Sequence, residues 1–127
     1  MNIEYIAIWT RQLEALKTFY ETCFRAHANQ KYANPKKHFE SYFLAFSNGV
    51  RLEIMQMPEV SAHPTAAQPL GHAHLAFSVG SRYEDDQLAG RLRADGLTVE
   101  SLPRITSDGY NESVVLDPDG NRIEIIL

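Results

Sequence analysis

The chain of 127 residues has one cysteine, one tryptophan and no apolar run near the length of a membrane span. A single thiol, Cys23, cannot close an internal disulfide, so a disulfide-stapled scaffold is excluded. A membrane helix needs about 20 apolar residues in succession, and that pattern is missing. Positive charge is scarce, with 12 Lys+Arg against 16 Asp+Glu and a net charge of -4. The basic footprint that holds nucleic acid or an anionic membrane is therefore lacking. The chain opens on a strand-like run rather than a basic segment followed by an apolar core, from which a cytoplasmic location is expected. What it does have is 44% hydrophobic and 22% charged residues, the make-up of one ordinary globular domain, together with five histidines.

Residues 2–9 are rich in β-branched and aromatic side chains and predict a strand. Thr10 is the expected helix N-cap, and the spacing of Leu13, Leu16, Phe19, Tyr20, Cys23 and Phe24 predicts an amphipathic helix with one buried stripe. Cys23 lies on that stripe and reads as a small core hydrophobe. Beyond a polar stretch containing Asn34-Pro35-Lys36-Lys37, strands are expected at 38–46 and 50–57 around the turn Ser47-Asn48-Gly49. A segment with three prolines, 58–71, reads as a linker. The order then begins again. A strand is expected at 72–79, a helix at about 83–94 stopped by Asp95-Gly96, and strands at 97–102, 110–116 and 121–127, the last two joined by Asp117-Pro118-Asp119-Gly120.

The two halves align. Tyr5-Ile6-Ala7-Ile8 matches His74-Leu75-Ala76-Phe77 at an offset of 69, Glu40-Ser41 matches Glu112-Ser113 at 72, and Arg51-Leu52-Glu53-Ile54 matches Arg122-Ile123-Glu124-Ile125 at 71. A duplicated βαβββ unit follows, with one module at about 1–57, the linker at 58–71 and a second module at about 72–127, together forming a single domain.

Strand alternation sorts the side chains onto two faces. One face is apolar, with Ile6, Ile8, Leu52, Ile54, Leu75, Phe77, Ile123 and Ile125, and should cover the helices. The other carries Tyr5, Glu53, His74 and Glu124 at equivalent positions. Carboxylates among Leu, Ile and Met need a salt bridge, a metal or water to face. Pairing of Glu53 and Glu124 with Arg51 and Arg122 is one explanation. Their repeat alongside a histidine is another, since carboxylate and imidazole donors suit Zn, Ni, Mn or Fe. His27, His38 and His63 lie in or beside loop-like segments and read as solvated, whereas His72 shares the strand face of His74.

These residues resemble the vicinal oxygen chelate superfamily, which includes glyoxalase I, bleomycin-resistance proteins, fosfomycin-modifying enzymes and extradiol dioxygenases. The likeness spans essentially the whole chain. Its most specific parts are Tyr5-Ile6-Ala7-Ile8, Phe19-Tyr20, Arg51-Leu52-Glu53-Ile54, His74-Leu75-Ala76-Phe77-Ser78-Val79 and the block from Asp117 to Glu124. The resemblance implies an α+β fold in which two tandem βαβββ modules form a curved mixed-sheet cup, commonly completed in a homodimer. It implies a divalent metal held by Glu53, His74 and Glu124, with Glu124 also the catalytic base. Tyr5 stands where the family's first histidine ligand is expected, and a phenol with a pKa near 10 is a poor donor at neutral pH. Tyr5 itself, His72 and water are the candidates to complete the set. The implied activity is that of a lactoylglutathione lyase-like enzyme acting on a small oxygenated substrate through bidentate chelation. Tyr5, Trp9, Phe43, Met55, Tyr110 and Glu112 are expected to contact the substrate. The alternative is a metal-free protein of the bleomycin-resistance type that binds or sequesters a small molecule, with Tyr5, Trp9, Phe43 and Met55 as its lining. Thiol transfer to an antibiotic fits less well, because Tyr5 breaks the His, His, Glu pattern of those relatives.

Overall fold

The computed structural model describes residues 1–62, 71–105 and 111–126. The chain divides into two compact units, Met1–His63 and Pro64–Leu127, with the division inside the Pro-rich segment. Unit 1 contains β1 (Ile6–Trp9), α1 (Leu13–Phe24), β2 (His27–Ala28), β3 (Tyr32–Asn34), β4 (Phe39–Ala45) and β5 (Arg51–Gln56). Its sheet runs β1-β5-β4-β2, with β3 also paired to β4. Unit 2 contains β6 (Leu75–Ser78), α2 (Arg82–Ala94), β7 (Val99–Ile105), β8 (Asn111–Leu116) and β9 (Arg122–Ile126), in the order β6-β9-β8-β7. In each unit the first strand is parallel to the last and the other pairings are antiparallel. The architecture is α+β, two mixed sheets that share one four-strand order, to which unit 1 adds β3.

Register makes the repeat explicit. Ala7 pairs with Glu53 as Ala76 pairs with Glu124, and Phe43 opposes Glu53 as Val114 opposes Glu124. One part of the sequence alignment needs correction. Ser41 opposes Met55 while Glu112 opposes Ile126, so Ser41, not Glu40, is the counterpart of Glu112. The offset of 71 therefore holds through this strand pair, and the apparent 72 came from matching a Glu-Ser dipeptide one residue out of register.

Each sheet buries the face expected to meet the helix. Leu44, Leu52 and Ile54 are buried with Leu13, Leu16, Phe19, Tyr20 and Cys23 of α1, and Val115, Ile123 and Ile125 with Leu88, Ala89 and Leu92 of α2. Fully burying a side chain of this size stabilises the fold by about 1.5–3 kcal/mol, so these stripes dominate the energetics of each unit.

The helix starts differ between the units. Thr10 is not the N-cap of α1. Gln12 holds that position, Thr10 Oγ1 accepts from the Gln12 N–H at 3.0 Å, and the Leu13 N–H donates to Gln56 Oε1 of β5 at 2.9 Å. A strand side chain 43 residues away thus satisfies the first turn. In α2 the cap is local, with Ser81 Oγ accepting from the Glu84 N–H at 3.3 Å. Two short strands, β2 and β3, lie in what the sequence presents as a polar stretch. Both are edge strands pairing only with β4, and the Asn29 side chain between them accepts from the Phe43 N–H at 2.8 Å.

The turn before β9 is held by Asp117, whose side chain accepts from the N–H groups of Asp119 (3.0 Å) and Asn121 (2.9 Å) and from the Asn121 amide (2.8 Å). Gly120 takes φ 83°, a left-handed conformation that glycine adopts without penalty. The Asp-Pro-Asp-Gly-Asn block is thus explained by turn chemistry. Its counterpart before β5 is lighter, with Asn48 Oδ1 accepting from the Val50 N–H at 3.1 Å.

Candidate functional site

Alternation along β1, β5 and β4 puts Tyr5, Ala7, Trp9, Arg51, Glu53, Met55, Ser41 and Phe43 on the sheet face turned away from α1. Tyr5 and Trp9 are 43% and 47% exposed, large fractions for aromatic side chains. Tyr5 meets Phe43 edge to face with ring centroids 5.0 Å apart, and the Arg51 guanidinium lies over both rings, 5.0 Å from Phe43 and 5.8 Å from Tyr5. Trp9 meets Phe39 at 6.2 Å, and Phe39 meets Tyr32 at 6.0 Å. Phe39 and Tyr32 are members of this face that the sequence reading did not single out, and Arg51, considered there as a partner for Glu53, lies on the rings instead. The i, i+4 relation of Phe39 to Phe43 on one strand was the signal available for the first.

Glu53 is half-buried on β5 between Ala7 and Phe43. Among the described residues it has neither an ion-pair nor a hydrogen-bond partner. Arg51 pairs instead with Glu4, and Arg122 with Glu100 at 3.1 Å. The explanation in which the neighbouring arginines neutralise the two strand glutamates is therefore excluded.

In unit 2 the corresponding face carries His74, Ala76, Glu124, Ile126, Val114 and Glu112. His74 precedes β6, and its Nε2 lies 3.3 Å from Glu124 Oε2. Both side chains are partly exposed, 39% and 20%. Glu112 is paired with Arg104 at 3.2 Å, which makes it a strand-to-strand tie rather than a free contact group. His72 is exposed two residues before His74. Tyr110 and His63 lie outside the described residues.

The donor chemistry of the His74–Glu124 pair fits a divalent metal. Two donor atoms about 2.0–2.1 Å from a tetrahedrally coordinated ion lie about 3.3–3.4 Å apart, and the pair is spaced at 3.3 Å without rearrangement. The same separation serves a hydrogen bond between a protonated imidazole and the carboxylate. Among the described residues no three His, Cys, Asp or Glu side chains gather into one cluster.

A sheet of this topology in each unit, with a histidine-carboxylate pair on one of the two exposed faces, defines a fold class. The Glyoxalase/Bleomycin resistance protein/Dioxygenase superfamily model matches residues 2–125, and the chain belongs to that superfamily. Among solved structures, a glyoxalase family protein from Enterococcus faecalis is 26% identical with a TM-score of 0.83, over 99% of this chain and 97% of that one. A glyoxylase/bleomycin resistance protein/dioxygenase domain from Frankia sp. EAN1pec is 16% identical with a TM-score of 0.84, over 100% and 97%. Glyoxalase I from Zea mays is 20% identical with a TM-score of 0.79, and this chain spans 98% of itself but 44% of the maize protein. The last two likenesses show the fold alone. A comparison with curated proteins finds no match. No helix among the described residues is long and apolar enough to cross a membrane.

Proposed function

We propose that the protein is a metal-dependent lyase or isomerase of the glyoxalase type, in which His74 and Glu124 hold a divalent cation. The observation that carries this reading is the 3.3 Å approach of His74 Nε2 to Glu124 Oε2 on the face away from the helix. A Zn, Ni, Mn or Fe ion held there would supply Lewis acidity toward a small oxygenated substrate. Glu124 is the proton carrier: its carboxylate takes a proton from one substrate carbon and returns it to the neighbouring carbon. His74, fixed at the mouth of β6, sets the position of that carboxylate. A homodimer and a cytoplasmic setting belong to the same proposal.

A second reading, a metal-free small-molecule binder, is favoured by one observation: Tyr5 packs edge-on to Phe43 at the position where a further metal donor would stand. Metal content separates the two. Protein purified without chelator should carry close to one equivalent of metal, and His74→Ala or Glu124→Ala should remove most of it. Added Zn, Ni or Mn should raise the Tm of chelator-stripped wild type, since saturation at about 100 times Kd contributes about 2.7 kcal/mol. Turnover of the methylglyoxal–glutathione hemithioacetal should fall at least 100-fold in Glu124→Gln. A wild type that carries no metal and gains no stability from any of these ions leaves the binding reading.

A further inference from the structure

Arg51 and Arg122 hold corresponding register positions, opposite Ala45 on β4 and Leu116 on β8. Their surroundings differ. Arg122 pairs with Glu100 and, among the described residues, touches no ring. Arg51 lies over two rings, Phe43 and Tyr5. Contact with the two rings holds the guanidinium carbon against this face, and a guanidinium carries five N–H donors with which to meet an anion. One of those groups is held by Glu4, which precedes β1 and is 76% exposed. An ion pair so exposed is weak and readily exchanged.

Glu53 follows two residues along the same face, about 7 Å away, and Met55 with neighbouring Trp9 about 7 Å beyond that. The far end is apolar and aromatic, with Trp9 47% and Tyr32 55% exposed and Phe39 between them. A cation held against two rings at one end and exposed rings at the other describe an amphipathic ligand. We infer that this face binds an organic acid, its carboxylate seated on Arg51 in exchange for Glu4 and its apolar or aromatic body lying toward Trp9. Glu53 repels anions along the way, so Arg51 is the residue that makes an acid acceptable. The inference rests on the face of unit 1 being a ligand face, which both functional readings share, and it does not depend on bound metal.

Trp9 is the only tryptophan, so its fluorescence reports occupancy directly. The full chain, kept in chelator, is titrated with 3-phenylpropanoate, 5-phenylpentanoate and their primary amides. The acids should bind about tenfold more tightly than the amides, the effect of one charge-assisted contact at a partly exposed site. Arg51→Gln should erase that difference while amide binding persists, and Arg51→Lys should retain only part of it. Glu4→Gln should tighten the acids a few-fold and leave the amides unchanged. A purely structural Arg51 would instead shift acid and amide alike. Equal affinity for acid and amide in the wild type, or acid binding indifferent to Arg51→Gln, overturns the inference. Metal content is read in a separate experiment, so a failed metal assignment and a failed acid site are told apart.

Discussion

The two units share a skeleton and differ in what they present. Both pair the first strand with the last, both place Ala opposite the strand glutamate, and both set Arg two residues before that glutamate. In unit 2 the exposed face is a set of charge pairs: His74 with Glu124, Glu112 with Arg104, Arg122 with Glu100. In unit 1 it is a run of rings around an unpartnered Glu53. The helices diverge as well: among the described side chains, α1 buries Leu13, Leu16, Phe19, Tyr20 and Cys23, and α2 buries Leu88, Ala89 and Leu92. Duplication supplies two copies of one frame, and only residues off the helix-facing stripe are free to specialise.

The largest effect that tests this comparison is in the cores. Leu16 and Leu92 are both at 0% exposure, so Leu16→Ala should cost about 4 kcal/mol and Leu92→Ala about 3 kcal/mol in denaturant unfolding. The smaller figure reflects the smaller buried side chains of unit 2, Ala89, Val114 and Val115 among the described residues, against Phe19, Tyr20 and Tyr42 in unit 1. A Leu92→Ala cost as large as that of Leu16→Ala would mean that α2 is packed as tightly as α1.

Next come the turns. Asp117→Ala removes at least three side-chain hydrogen bonds at a residue only 4% exposed and should cost about 2 kcal/mol, whereas Asn48→Ala at the matching turn loses the bond to the Val50 N–H and should cost about 0.5 kcal/mol. Thermal melts of the two variants side by side measure the gap.

The smallest effect is the pH response of unit 1. The Lys31 ammonium beside Glu14 and the Lys17 ammonium beside Glu21 hold both carboxyls below their ordinary value. Folded unit 1 therefore binds fewer protons than the unfolded chain in the acid range. Its contribution to stability is complete above about pH 4.5, the ordinary value, and is lost as pH falls through the lowered folded values. The two lysines are raised by the same contacts, so their contribution is complete below about pH 10.5 and fades above it. Both pairs lie at the surface, so Glu14→Gln with Glu21→Gln should flatten the acid limb of a stability–pH curve only slightly.

Much of this fold is legible in the sequence because its signals are local. The stripe from Leu13 to Cys23, the alternation in Arg51–Met55 and Arg122–Ile126 and the Asp117 turn all declare themselves within a few residues. What escapes is set by distance in the chain. Gln56 caps α1 from another strand, Glu4 and Glu100 take the arginines that one of the two explanations had given to the adjacent glutamates, and β2 and β3 are too short and polar to show a period. Of the candidate site, alternation foretold the faces of Glu53, His74 and Glu124, but not that Glu112 would be occupied by Arg104 or that Arg51 would lie on rings.

The lone cysteine has one more consequence. Cys23 is 9% exposed on the buried stripe of α1, and unit 2 has no thiol. A thiol reagent can reach it freely only when α1 lifts from its sheet, so the labelling rate of the native protein clocks the opening of the first unit alone. Set against a global unfolding curve, that clock separates local breathing of one half from cooperative loss of the whole.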